Sequence, residues 1–253
     1  MKIKKKYIIL SIIFVVYVIV MFLIFGRNYI RNNLDNGTMI ISPNSIWKFQ
    51  KGKWEDVDNN QEYSMKTYKT YENGTYIGDY QITYNDKFYL FDNKRNPINY
   101  ENDLIAIRGT IDIGVVKFEN TPVSVSDKVI YNILKEKQIK ATSSTIRANV
   151  VKIDLDNDNK LEEIYVISNV FEADEKSNSF SIVAVKDNNK IKYLREEVRD
   201  SSYTLSMCNP YVQNIVDIDN DKKLEIITGC SYYSDGDTCH TLYNSNYEVI
   251  KTC

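Results

Sequence analysis

Two stretches of this chain are nearly identical: KIDLDNDNKLEEI at residues 152–164 and IVDIDNDKKLEI at residues 215–226. Each has aspartates at alternate positions of a short polar segment, followed by a glutamate and an apolar run. The two segments align without a gap when Asp154 is matched to Asp217. An internal repeat of this kind predicts that one structural unit occurs twice in the fold.

The repeated segment has the pattern of a cation-binding loop. Acids at positions 1, 3 and 5 of a tight loop converge, and their charges repel unless a cation lies between them. Ca²⁺ takes about six to eight oxygen ligands, and neither segment offers a Cys or His to a softer metal. We predict two Ca²⁺ sites, in which position 7 contributes its backbone carbonyl; the alternative is two acidic turns without a metal. The predicted ligands are Asp154, Asp156, Asp158, Lys160 and Glu162 in one loop and Asp217, Asp219, Asp221, Lys223 and Glu225 in the other.

The motif does not match an EF-hand, which needs a glutamate at position 12 and helices on both sides. Tyr165 and Thr228 occupy position 12, and strand-like sequence follows each loop, so the EF-hand and dockerin modules are disfavoured. Residues 147–253 instead resemble the FG-GAP/VCBS-type repeats of integrin-like β-propellers. The resemblance implies Ca²⁺ loops that staple adjacent strands in extracellular interaction proteins. The chain departs from that pattern at position 6, where Asn159 and Lys222 replace the usual glycine, and it shows two repeats where a closed propeller needs about four or more.

An uncharged apolar run near the N-terminus predicts the compartment. Residues 7–25 would span roughly 28 Å as a helix, close to the thickness of a bilayer core. Four lysines precede the run, which predicts a cytoplasmic N-terminus. We therefore expect a single-pass cell-membrane protein with residues 26–253 outside the cell, or, as the alternative, a cleaved signal peptide.

The rest of the chain favours strands. Asn73-Gly74 between Tyr-rich runs is a strong hairpin signal, and Ser126 can cap an amphipathic helix over residues 127–138. The predicted fold class is mainly β: an N-terminal transmembrane helix, then an antiparallel β ectodomain with two FG-GAP-like repeats and one short helix. The predicted divisions are a cytoplasmic tail at 1–6, a signal anchor at 7–25, a stalk at 26–44, a Tyr-rich antiparallel β domain at 45–120, a linker with the helix at 121–141 and the calcium-binding repeat domain at 142–253.

All four cysteines, Cys208, Cys230, Cys239 and Cys253, lie in the last 46 residues. In an exported domain this predicts two disulfides with three possible connectivities. Because Cys230 and Cys239 flank a hairpin turn, a bond between them is favoured, which leaves Cys208 for Cys253. The alternative, a zinc site, lacks a Cys-x-x-Cys spacing and has only His240 as a nitrogen ligand.

Charge and motifs restrict the function. Six of the 32 Lys and Arg residues lie within residues 1–31, which contain no acid, so the remainder is mildly acidic and a nucleic-acid partner is not expected. We predict a non-enzymatic surface protein that binds an extracellular protein or glycan. The alternatives are a sensory or regulatory ectodomain acting with a membrane partner, and a surface hydrolase. A single histidine and the lack of Gly-x-Ser-x-Gly disfavour the hydrolase.

Overall fold

Three antiparallel β-sheets, one α-helix and a 3₁₀ turn at Ser143–Thr145 form the regular structure of the residues described by this computed structural model. Those residues are 37–50, 52–57, 63–85, 87–100, 104–170, 178–199, 207–232 and 238–253. Among them, no helix has the length and apolar composition needed to cross a membrane. This finding corrects the predicted fold class: the described chain is mainly β with one short helix and without a transmembrane helix. The predicted span at 7–25 and the tail at 1–6 lie outside the described residues.

The first sheet, called the large sheet, has eight strands in the order β3-β2-β1-β8-β4-β5-β6-β7. Its strands are β1 (Gly37–Ile41), β2 (Ser45–Gln50), β3 (Lys53–Asp56), β4 (Lys66–Glu72), β5 (Thr75–Asn85), β6 (Lys87–Phe91), β7 (Pro97–Ile98) and β8 (Leu104–Gly109).

The other two sheets have five strands each, and each is built mainly from one antiparallel meander. The central sheet has the order β18-β17-β16-β15-β9, and the helix-side sheet has the order β10-β11-β12-β13-β14. Their strands are β9 (Gly114–Val116), β10 (Thr121–Pro122), β11 (Arg147–Ile153), β12 (Glu162–Ser168), β13 (Ser179–Asp187), β14 (Lys190–Arg199), β15 (Cys208–Asp217), β16 (Glu225–Tyr232), β17 (Thr238–Tyr243) and β18 (Val249–Thr252).

Strand β1 differs from its predicted place in a polar stalk. All five of its residues are buried, and it pairs with β2 on one side and β8 on the other. The strand is too short to give a clear alternation, it begins with a glycine that follows Asn36, and Ser42-Pro43-Asn44 follows it with turn-forming residues. The local sequence therefore does not predict this strand, because its place in the sheet is set by pairing with residues that are distant in the sequence.

The sheets stack because the central sheet is apolar on both faces. Val216 and Ile227 on one face pack in the same cluster as Trp47 of the large sheet. Ile215 on the other face packs with Ile164 of the helix-side sheet. Successive side chains of a strand point to opposite faces, so a run of apolar residues serves two neighbours at once. Each such fully buried side chain contributes about 1.5–3 kcal/mol relative to exposure.

The helix α1 (Lys128–Glu136) covers the outer face of the helix-side sheet. Ile130 and Ile133 are fully buried and cluster with residues of that sheet such as Phe180. The N-cap is Asp127, whose Oδ1 accepts hydrogen bonds from the backbone N–H of residues 129 and 130 at 2.8 and 3.3 Å. The expectation that Ser126 caps the helix is therefore wrong. A carboxylate at this position both accepts the free N–H groups and suits the helix dipole.

The four cysteines form two disulfides, Cys208–Cys230 and Cys239–Cys253, so the favoured Cys230–Cys239 pairing is wrong and the thiolates that a zinc site needs are not there. Cys230 and Cys239 do lie opposite each other on β16 and β17. However, Cys208 reaches Cys230 from β15 on the other side, and Cys253 follows β18 beside β17. The position of two cysteines opposite each other in the hairpin therefore does not determine which pairs form disulfides.

Candidate metal centre

The first acidic loop joins β11 to β12 and begins where their pairing ends, at Ile153 opposite Glu162. Asp154 holds the turn: its two carboxylate oxygens accept the backbone N–H groups of Asp158 at 3.1 Å and Asn159 at 2.9 Å. Asn157 and Asn159 have φ angles of 63° and 67°. Asparagine tolerates this left-handed conformation better than most residues, so the sequence fits the loop without glycine.

The second acidic loop, between β15 and β16, has the same internal hydrogen bonds. Asp217 accepts from the backbone N–H of Asp221 at 3.2 Å and of Lys222 at 3.1 Å. Asn220 and Lys222 have φ angles of 60° and 72°. A lysine in this conformation costs more than an asparagine, yet the loop keeps its shape. The duplicated sequence therefore encodes a duplicated geometry.

Three carboxylates converge in each loop. One oxygen from each of Asp154, Asp156 and Glu162 lies within 4.8 Å of the others, and the same holds for the corresponding three acids of the second loop. Two oxygens bound at about 2.4 Å to one Ca²⁺ can be at most about 4.8 Å apart. Each set is therefore compatible with ligation of a single ion. The second set is Asp217, Asp219 and Glu225.

The glutamates at position 9 are the buried members of these sets. Glu162 and Glu225 are only 3% and 4% exposed. Their carboxylates accept the backbone N–H of Leu155 at 2.7 Å and of Ile218 at 3.0 Å. Sequence reasoning missed these two contacts, although the apolar residue at position 2 of both copies was a signal that this position turns inward.

Burial and neighbouring acids disfavour the charged forms of these groups. Burial raises the pKa of Glu162, and the charge of Asp156 adds to the effect. Burial raises the pKa of Glu225 to about 7, with a further contribution from Asp219. The pKa of Asp219 is itself raised, first by burial and then by the charge of Asp221. A divalent cation would offset the repulsion and favour the ionised carboxylates.

The predicted ligands at positions 5 and 7 have other partners. Asp158 Oδ2 accepts from Lys160 Nζ at 2.6 Å, and the lysine holds the pKa of Asp158 below its usual range. The Lys160 backbone N–H donates to Asp158 Oδ1, and Lys223 donates to Asp221 in the same way, each at 2.8 Å. Asp158 and Asp221 thus lie in the loops but outside the two converging sets.

A backbone hydrogen bond joins the two loops. The N–H of Leu224 donates to the carbonyl of Leu155 at 2.7 Å. Leu155 also donates to Glu162, and Leu224 directly precedes Glu225. The two candidate sites are therefore linked by one short chain of contacts, which no pattern in the sequence predicted.

Comparison of the chain with protein-family models, with curated proteins and with solved structures returned no match. The class of protein is thus defined by its own features: a disulfide-bonded stack of antiparallel sheets carrying two acidic clusters that could hold metal ions.

Proposed function

We propose that this chain is a non-enzymatic, Ca²⁺-stabilised β-sheet module that binds an extracellular protein or glycan. The observation that carries the proposal is the duplicated loop, in which three carboxylates converge twice with the same backbone support. An all-oxygen set of hard, charged ligands suits Ca²⁺. The resemblance of the sequence to FG-GAP/VCBS repeats supports the proposal, since each loop joins the first two strands of a four-stranded antiparallel meander.

The proposed location is the extracytoplasmic side of the cell membrane. Two disulfides support it, because such bonds persist in oxidising compartments and are rare in the cytosol. The proposed calcium sites fit this location, since extracellular modules bind this ion at about 0.1–1 mM. At such affinities the loops would be occupied outside the cell and stabilise the sheets there.

The carboxylates are better explained as ligands than as catalysts. In each converging set the buried glutamate is held by a main-chain N–H group, and the aspartate at position 1 holds the turn. These hydrogen bonds give the acids a structural role in the loops, which favours a binding module over a hydrolase.

The proposal is tested by thermal unfolding of the full chain in Ca²⁺, in chelator and in Mg²⁺. Ca²⁺ at ten times its Kd would add about 1.4 kcal/mol per site, so chelator should lower the Tm and re-added Ca²⁺ should restore it. Mg²⁺ should substitute poorly, because it demands a smaller octahedral shell. A Tm that is the same in chelator and in millimolar Ca²⁺ would contradict the proposal.

A further inference from the structure

Three positively charged side chains lie together at one end of the large sheet. Two of them, Lys48 on β2 and Arg108 on β8, are both directly opposite Thr38 on β1. Lys48, Thr38 and Arg108 therefore form a row across three adjacent strands. Strands in a sheet are about 4.8 Å apart, which places the two charged residues on either side of the threonine. Their side chains share one face of the sheet because residues opposite each other point the same way.

These side chains line a cavity. It has a volume of about 530 Å³, within the range of about 300–1,000 Å³ that is usual for small-molecule sites. Lys66 supplies the third charge, and its Nζ lies 5.4 Å from the centre of the Tyr63 ring. The described residues that line it are Gly37, Thr38, Lys48, Tyr63, Lys66, Arg108 and Gly109, and none of these is an acid.

The charges in this cavity are not neutralised by the described part of the protein. Lys152 and Lys251 pair with carboxylates elsewhere on the sheets. In contrast, no carboxylate of the described residues forms an ion pair with Lys48, Lys66 or Arg108. The contrast is notable because acids outnumber Lys and Arg in the whole chain, 34 to 32. Three unpaired like charges around one cavity repel each other, and an anion placed among them removes that cost.

Two glycines, which have no side chain, lie in the lining of the cavity beside the charged row. Gly37 and Gly109 are opposite each other, one position beyond the charged row. Gly109 has a φ of 131°, which disfavours any side chain, and a Cβ on Gly37 would lie 2.7 Å from Ile111 Cδ1. A side chain is thus disfavoured by the backbone at Gly109, whereas one on Gly37 would require the end of the Ile111 side chain to shift. Both glycines line the cavity.

We infer that this cavity binds the phosphate group of a small phosphorylated molecule. A phosphate dianion offers enough charge and enough oxygens to engage an arginine fork and two lysines together. A carboxylate offers a single charge and two oxygens, so it matches the three cations less well. The cavity leaves room for an organic substituent beside the Tyr63 ring. This inference is independent of the calcium loops.

The test is a calorimetric titration of the full chain with inorganic phosphate and with glycerol 3-phosphate. The buffer is freed of calcium on a chelating resin, because calcium would precipitate phosphate. Sulfate and acetate are titrated in parallel. We expect both phosphates to bind more tightly than acetate, and a Kd that rises with salt because the contacts are ionic.

Variants locate the site. Lys48→Gln with Arg108→Gln should weaken phosphate binding at least about tenfold, since each removes a charge-assisted contact, and Arg108→Lys should retain part of it. Lys190→Gln is the matched control, because Lys190 is an exposed lysine on a different sheet. Circular dichroism and the Tm establish that each variant is folded.

Three results would overturn the inference: no phosphate binding at about 10 mM, equal binding of acetate and phosphate, or equal weakening by Lys190→Gln and by the double variant. The first would leave the cavity without its ligand. The second would show that the cavity does not select phosphate over a carboxylate. The third would show that phosphate binds through the general positive charge of the surface and not in this cavity.

Discussion

Glu225 is the residue at which burial and charge conflict most strongly. It lies at the start of β16 with 4% of its surface exposed, and it faces a loop that holds three aspartates. Among the described residues, its carboxylate accepts a hydrogen bond from the backbone N–H of Ile218. An ionised carboxylate in such a place costs stability unless it is paired or bound to a metal. The residue therefore links proton binding, metal binding and folding.

The first prediction concerns pH in the absence of calcium. The pKa of Glu225 is about 7 in the folded protein and near 4.3 in an unfolded chain, so the folded state binds the proton more tightly between those values. The free energy of unfolding should therefore fall as the pH rises from about 4.5 to 7. Added Ca²⁺ should oppose this loss, because it requires the ionised form.

The contribution of Glu225 is measured as the difference between wild type and Glu225→Gln in urea unfolding at several pH values. The comparison is needed because His240, fully buried with its pKa lowered to about 4, acts in the opposite direction: its protonation in the unfolded chain destabilises the fold as the pH drops below about 6.5. A wild-type minus variant difference that is flat with pH would refute the prediction.

At the scale of single elements, helix α1 depends on its cap. Asp127 accepts from two N–H groups at the first turn, so Asp127→Ala should lower the free energy of unfolding by about 1 kcal/mol. Asp127→Asn keeps an acceptor and should cost less. Ser126→Ala is the control, because its hydroxyl bonds Ser124 and not the helix. Equal losses for Ser126→Ala and Asp127→Ala in urea unfolding would contradict this assignment.

The two loops should bind calcium as coupled elements. The backbone N–H of Leu224 donates to the carbonyl of Leu155, and the N–H of Leu155 donates to Glu162. Because Leu224 directly precedes Glu225, order that calcium imposes on one loop is passed to the other. Asp156→Ala should remove the first site and weaken calcium binding at the second by about fivefold, a typical coupling. Fluorescence or calorimetric titration measures the remaining affinity. Asp112→Ala, at an exposed aspartate outside the loops, is the control and should leave both sites unchanged. An unaltered second site in Asp156→Ala would exclude coupling.

At the scale of the whole molecule, the disulfides close the central sheet at one end. The bonds enclose separations of 22 and 14 residues, and each should contribute about 3 kcal/mol, chiefly by restricting the unfolded chain. Peptide mapping without reductant should recover Cys208 linked to Cys230 and Cys239 linked to Cys253. A peptide linking Cys230 to Cys239 would contradict the pairing.

Local signals in the sequence predicted much of this molecule. The strands after the acidic loops, the hairpin at Asn73-Gly74 and the helix were recognised, because periodicity and turn residues are local properties. Strand β1 and the cysteine pairing were not, since both depend on which distant strands become neighbours. The acids that converge were recognised by their spacing, but the bond between Leu155 and Leu224 arises only when two sheets pack together.

The central claim is that the duplicated loops bind two calcium ions. Calorimetric titration of the full chain with Ca²⁺ tests it most directly, with Asp156→Ala and Asp219→Ala as single variants and together. We predict two ions per chain for wild type, one for each single variant and none for the double variant, all with the fold retained. No calcium binding by folded wild-type protein at millimolar concentration, or two ions still bound by the double variant, would contradict the claim.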